Sequence, residues 1–185
     1  MEGKIIILSA PSGCGKSSII GRIMEAGKID IQLSVSATNR PPRPGEVDGV
    51  HYNFITTEEF EEHIRANDFV EYEEVYAGRY YGTLKSEIER ICSEGHYCVL
   101  DIDVKGALNV KRLYGGRAIS IFVMPPSVDE LRRRLELRGT ETQEWIDKRV
   151  GKAAWEMEFA PKFDFTVVND DLDKAVAEIS DIINR

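Results

Sequence analysis

Ser9-Ala10-Pro11-Ser12-Gly13-Cys14-Gly15-Lys16-Ser17-Ser18 is the stretch of this chain best suited to hold a run of phosphates. Gly13 and Gly15 can take positive φ and carry no Cβ, so backbone N–H groups can close around an anion. A helix starting near Lys16 adds the positive end of its dipole at the same point. Lys16 supplies a point charge for the outer phosphates, and the Ser17 hydroxyl suits Mg²⁺. Residues Ala10, Pro11, Ser12, Gly13, Cys14, Gly15, Lys16, Ser17 and Ser18 are therefore the candidate nucleotide loop. The strict pattern has glycine where Ala10 stands, and Pro11 drives Ala10 toward an extended conformation. The bland alternative is a Gly-rich strand-to-helix turn that binds nothing. Cys14 lies in the loop near a helix N-terminus, a setting that lowers a thiol pKa.

Three further stretches carry charge in patterns with chemical meaning. Arg40-Pro41-Pro42-Arg43-Pro44-Gly45 cannot be helical, and a polyproline II path would project Arg40 and Arg43 on one side. A solvated, proline-stiffened loop is the alternative there. Asp101 and Asp103 stand at the carboxyl end of the apolar run Tyr97–Leu100, where open α/β sheets bind ligands. Arg134 and Arg138 are four apart and share a helix face, while a second helical stretch holds Lys148, Arg149 and Lys152. Two such helices around Gly139-Thr140-Glu141-Thr142 fit a lid over phosphates, and a solvated charged pair is the competing account.

The elements that must position these residues follow from periodicity. Ile5–Leu8, Tyr97–Asp101, Ala118–Val123 and Phe165–Val168 read as buried strands alternating with helices, an α/β arrangement with a parallel sheet. Ile19, Ile20, Ile23 and Met24 recur at helical spacing, and Gly27 is a helix stop. Ile31 to Ser36 reads as a second strand. Val50–Phe54 and Phe69–Tyr72 read as short strands with a helix beginning at Thr57, where Phe60 three residues on excludes a capping box. Gly78–Gly82 reads as an aromatic turn. Together these suggest an inserted antiparallel subdomain, whose tyrosines could equally be partly buried core. Ser127 with Glu130 forms a capping-box pattern.

Composition bounds the rest. The 185 residues are 42% hydrophobic, enough for one compact domain with small insertions. A formal charge of −8 argues against nucleic-acid partners, so any polyanion must meet locally concentrated Arg and Lys. Cys14, Cys92 and Cys98 are an odd count with no metal-type spacing, which fits free thiols in a reducing cytoplasm. No signal peptide or membrane-spanning run is expected.

Read together, these segments resemble the guanylate kinase family over essentially the full chain. The resemblance is carried by Ser34-Val35-Ser36-Ala37-Thr38-Asn39-Arg40-Pro41-Pro42-Arg43-Pro44-Gly45-Glu46, Tyr52-Asn53-Phe54 and Tyr80-Tyr81-Gly82. Leu100-Asp101-Ile102-Asp103, Arg138-Gly139-Thr140-Glu141-Thr142 and Val168-Asn169-Asp170-Asp171 complete it. It implies a P-loop NTPase-type α/β fold, a parallel sheet core flanked by helices, with an inserted mixed-β GMP-binding subdomain and a helical lid. The core would take about residues 1–34, 84–125 and 160–185, the GMP-binding subdomain about 35–83 and the lid about 126–159. The implied activity is transfer of the γ-phosphate of ATP to GMP with Mg²⁺, in guanine nucleotide recycling in the cytoplasm. ATP and GMP are the implied partners, with dGMP and oligomeric state left open.

By position, the family's GMP-phosphate ligands fall on Ser36, Arg40, Arg43, Tyr52 and Tyr81. Its guanine readers fall on Glu71, Thr83 and Asp103, with threonine where serine is familiar. Its lid and transfer arginines fall on Arg134, Arg138 and Arg149, which with Lys16 make the implied catalytic set. Asn169 falls at the adenine end of ATP. Ser17 and, through water, Asp101 fall on the metal. Guanine offers N1–H and N2–H₂ donors that carboxylates accept, so two buried acids suit this base, and a hydroxyl can donate to O6. A related kinase of another small phosphate acceptor is one alternative. A non-catalytic guanylate-kinase-like interaction module is the other, although the intact Lys16 and Ser17 argue against it.

Overall fold

The computed structural model describes residues 4–139 and 142–185, apart from the side chains of Val75, Tyr76 and Arg138. Thr140 and Glu141 of the expected lid turn, and the Arg138 side chain, therefore lie outside the described residues.

The hydrophobic run at the start of the chain forms strand β1 (Ile5–Ser9), buried along its whole length. It lies at the centre of a five-stranded parallel sheet. Its neighbours are β7 (Tyr97–Asp101) on one side and β8 (Ala118–Met124) on the other. Strand β2 (Ile31–Leu33) lies beyond β7, and β9 (Phe165–Val168) beyond β8. Pairing is in simple register, with Ile7 opposite Leu100 on one side and Ser120 on the other. A parallel sheet must be covered on both faces, which is why its strands are apolar on both. Ile6 and Leu8 face one core, with Ile19, Ile20 and Ile23 of α1 (Lys16–Ala26) and Ile179, Ile182 and Ile183 of α7 (Leu172–Ile183). Ile5 and Ile7 face the other, with Ile88 and Ile91 of α3 (Lys85–Ser93) and Val104, Ala107 and Val110 of α4 (Val104–Tyr114). Each such side chain contributes roughly 1.5–3 kcal/mol by leaving water. Helix α1 ends, as expected, at Gly27 in the left-handed conformation.

Inserted between β2 and α3 is a second sheet of order β4-β3-β6-β5. Its strands are β3 (Ala37–Thr38), β4 (Asn53–Phe54), β5 (Phe69–Tyr76) and β6 (Arg79–Leu84). The sheet is mixed, as the resemblance implies, since β3 and β4 run parallel, and the antiparallel reading drawn from periodicity is corrected. The aromatic stretch read as a turn is mostly strand: only the Gly78 end turns, and Arg79 onward pairs with β5. The expected strands at 31–36 and 50–54 are shorter than the apolar pattern suggested, because only Ile31–Leu33 and Asn53–Phe54 join a sheet ladder, while Tyr52 makes an isolated bridge to Asp48. Helix α2 (Thr57–Arg65) does have a capping box, one residue earlier than sought. Thr56 accepts from the Glu59 N–H at 3.1 Å, and the Glu59 carboxylate accepts from the Thr56 N–H at 2.7 Å. Phe60 is fully buried between Phe69 and Tyr80 and closes this small core.

Between β8 and β9 stand α5 (Val128–Arg138) and α6 (Gln143–Met157), the expected lid pair. At Ser127 only half of a capping box forms. Its hydroxyl accepts from the Glu130 N–H, while the Glu130 carboxylate turns to Arg133 and Arg134. Leu131, Leu135, Ile146 and Val150 anchor both helices to the core that also holds α1. Among the described residues, no helix is long and apolar enough to cross a membrane.

Candidate active site

The sheet's topology puts the loop after β1 beside the chain leaving β7, because those two strands are neighbours and end at the same edge. Gly13 and Gly15 both have positive φ, +93° and +84°. Gly15 is required twice over, since a Cβ there would sit 2.6 Å from Asn169 Nδ2. A cleft of about 420 Å³ is lined by every residue from Ala10 to Ser18, together with Asp101, Ile102, Asp103, Lys152 and Glu156. Alanine at position 10 does not disturb this cradle, because the left-handed turns lie at the later glycines. In the cleft the Lys16 ammonium pairs with the Asp101 carboxylate.

Asn169, at the end of β9, donates from Nδ2 to the Cys14 carbonyl at 2.7 Å, and its own carbonyl accepts from Arg134 at 2.9 Å. Arg134 also pairs with Glu130, and Arg149 of α6 meets the Ser12 hydroxyl. Arg134 and Arg149 thus already reach the 10–18 loop or the residue that braces it.

Cys14 is a correction. Its side chain points inward and is 1% exposed, and burial pushes the thiol up to about 12. The helix N-terminus lies nearby, but desolvation of the thiolate outweighs it, as it outweighs the neighbouring Arg134 and Lys16 charges. Cys14, Cys92 and Cys98 are all free and buried.

A second, smaller cleft of about 170 Å³ is lined by Ser36, Tyr52, Glu71, Glu73, Tyr81, Gly82, Asp101, Ile102 and Asp103. It shares the Asp101-Ile102-Asp103 wall with the first cleft. Arg40 stands beside it: Nε donates to the Tyr81 hydroxyl at 3.0 Å, and the guanidinium lies 5.0 Å from the Tyr52 ring centre. The polyproline path expected for 40–45 gives way to a turn at Pro44-Gly45, where Gly45 has φ +87°. That turn brings Glu46 back as a fork on Arg40, with two contacts of 2.6 Å, while Oε2 also accepts from the Arg43 N–H at 2.7 Å. Arg40 is consequently buried and Arg43 exposed, so the two do not make an equivalent pair. Arg40 holds the Glu46 carboxyl down to about 2, with help from the Arg43 N–H.

At the other end of the cleft, Thr83 donates to Glu71 Oε1 at 2.6 Å across the β5–β6 pair. Burial pushes the Glu71 carboxyl up to about 6, with Asp103 adding to the rise and the Thr83 hydroxyl opposing it. Asp103 caps α4, its Oδ1 accepting from the Gly106 N–H at 2.7 Å. Burial and Asp103 together raise Glu73 as well.

The structure therefore gathers Ser36, Tyr52, Glu71, Tyr81 and Asp103 around one cleft, with Arg40 against its tyrosines and Thr83 on Glu71. Asn169 holds the loop itself, whatever it meets at the adenine end. Sequence reasoning gave no role to Glu46, Glu156 or Gly106, and placed Lys152 only among the charges of the second lid helix. For Glu46 a signal existed, an acid just past a Pro-Gly turn and six residues from a buried arginine.

A family model described as guanylate kinase matches residues 2–185. A guanylate kinase of Bacteroides fragilis is 51% identical over 184 residues, spanning 100% of this chain and 90% of that protein. One from Salinibacter ruber is 55% identical over 177 residues, spanning 96% and 93%. The crystal structure of guanylate kinase from Anaplasma phagocytophilum is similar with a TM-score of 0.75 at 32% identity, covering 98% of this chain and 85% of that one.

Proposed function

The chain belongs to the guanylate kinase family, and from that premise we infer how its own residues carry the γ-phosphate of ATP to GMP, giving ADP and GDP. The observation that carries the inference is the shared wall. The loop cleft and the smaller polar cleft meet at Asp101-Ile102-Asp103, so a donor in one and an acceptor in the other would face each other.

Phosphoryl transfer asks the protein for alignment and positive charge rather than covalent chemistry. On this reading the N–H groups of residues 10–18 wrap the donor phosphates, and Lys16 leaves Asp101 to follow the moving group. Arg134, Arg138 and Arg149 add charge from the lid; in a water-excluded site each contributes about 3–4 kcal/mol to the transition state. Asn169 fixes the loop beneath ATP. Ser36, Arg40, Arg43, Tyr52 and Tyr81 take the GMP phosphate, and the Arg40 fork with Glu46 delivers that guanidinium already oriented. Glu71 and Asp103 accept from guanine N1–H and N2–H₂, while the Thr83 hydroxyl turns from Glu71 to O6. Unpaired buried acids would penalise adenine by roughly 10⁴-fold or more.

Mg²⁺ fits the donors present. Ser17 and Asp101 both face the loop cleft and both offer oxygen, which this hard cation prefers. Among the described residues no group of three or more acids, histidines or cysteines could hold a metal alone, as suits a cation held largely by water and phosphate. Ser17 would bind it directly and Asp101 through water, and the ion would neutralise charge on the phosphates.

The test is a phosphotransfer assay with GMP, AMP, CMP and ribose phosphates as acceptors. GMP should be preferred by orders of magnitude; preference for any other acceptor overturns the reading.

A further inference from the structure

We propose that Gly106 is a positioning residue for base selection, setting how closely the Glu71 and Asp103 carboxylates approach each other in the acceptor cleft. The inference rests on the reading of those two acids as guanine acceptors.

Among the described residues three glycines lie within α-helices: Gly21, Gly106 and Gly151. A Cβ built on Gly21 or Gly151 would meet nothing within 4 Å. A Cβ on Gly106 would lie 3.2 Å from Asp103 Oδ1, from Glu71 Cγ and from Glu71 Oε2. Gly106 has no positive φ, so its backbone does not call for glycine. Alanine would favour the helix. What requires glycine is the space taken by two carboxylates.

The neighbouring contacts prevent α4 from backing away. Within the helix's own first turn the Gly106 N–H donates to Asp103 Oδ1 at 2.7 Å, which holds that carboxylate where the added methyl would lie. One turn later, Asn109 Nδ2 donates to the Val70 carbonyl at 2.5 Å, tying the helix to the residue before Glu71. Asp103, Gly106 and Asn109 recur every third position and form a stripe along β5. With Asn109 holding the helix against β5, an added methyl must displace the Glu71 or the Asp103 carboxylate. Glu71 is itself held from the opposite side by Thr83, so its displacement breaks the spacing that two guanine donors need.

The experiment compares Gly106→Ala with the unmodified protein, using GMP and IMP as acceptors at saturating ATP and recording thermal melts. IMP lacks the 2-amino group, so it reports the second acid contact. We expect KM for GMP to rise about tenfold and the GMP-over-IMP preference in kcat/KM to shrink by a similar factor, because misplacement of a few tenths of an ångström is felt at an oriented site. The melting temperature should be unchanged or raised. An unchanged KM and preference overturns the proposal. So does an equal loss with both acceptors accompanied by a lower melting temperature, which marks a purely structural glycine. Should Gly106→Ala fail to fold, it is placed on a Glu71→Ala background, where both contacts with Glu71 are gone and only that with Asp103 Oδ1 remains. A double variant melting at least as high as Glu71→Ala supports the proposal, and one melting well below overturns it. Glu71→Gln separates the two levels. If it leaves the GMP-over-IMP preference intact, the guanine reading fails. If it abolishes the preference while Gly106→Ala is silent, only the role of Gly106 fails.

Discussion

Asn169 holds the Cys14 carbonyl at 2.7 Å from 155 residues away, and the same residue's backbone carbonyl receives Arg134. One side chain thus braces the turn of the nucleotide loop, and one carbonyl ties the lid to that brace. Asn169→Ala leaves the buried Cys14 carbonyl without its partner, a loss of about 1–3 kcal/mol. The melting temperature should fall by several degrees, and KM for ATP should rise more than KM for GMP. An ATP KM that does not move would limit Asn169 to a stabilising role.

Lys16→Ala should lower kcat by orders of magnitude while circular dichroism stays native. The ammonium is partly exposed and bonded to Asp101, not to the core, so the fold does not depend on it. Unchanged turnover would remove Lys16 from the chemistry.

Glu71 carries a pH signature. Its carboxyl sits near 6 in the folded protein against an ordinary 4.5. Between those values the folded state holds the proton more tightly than the unfolded chain, so stability falls as pH rises through that window. Above it the ionised, buried carboxylate costs about 2 kcal/mol at 1.36 kcal/mol per pH unit. Glu71→Gln should therefore melt higher than the unmodified protein at pH 7. If Glu71 accepts from the base, as proposed, GMP needs the carboxylate, and KM for GMP in the unmodified protein should climb below pH 6, approaching tenfold per unit. A GMP KM flat from pH 7 to 5 would show that Glu71 does not accept from the base.

Glu46→Gln removes the charge that orients Arg40 while keeping its shape. Supporting partners of this kind typically account for about 10–100-fold in ligand affinity. We expect KM for GMP to rise at least tenfold and kcat to change much less. Equal effects on both would place Glu46 in the transfer step.

The parts legible in the sequence were those where one local pattern has one physical meaning. The run Ile5–Leu8 and the glycines at 13 and 15 announce a buried strand and a left-handed turn, and both are present. What stayed hidden depends on contacts across the chain. The weak pattern at Ile31–Ser36 could not show that the strand ladder with β7 stops at Leu33. Cys14 looked activated because its helix terminus is visible in sequence, whereas the packing that buries it is not. The capping box at Thr56 and Glu59 was missed through a shift of one residue, since two threonines adjoin. Glu46 could be given a role only once the turn at Gly45 returned it to Arg40. The family resemblance names candidate residues one by one, but the wall joining the two clefts was not legible in the sequence.

The placement of β1 between β7 and β8 governs when a new chain can bind a nucleotide. Ile5 pairs with Cys98 and Ala118, so the first strand made has no neighbour until those later segments emerge. Pairings of such sequence separation form slowly, because a long loop must close first. The loop at 10–18 then waits again for Asn169, on the last strand of the sheet. A ribosome-bound chain stalled before residue 169 can therefore display the entire phosphate-binding motif and still lack the scaffold that makes it a receptor.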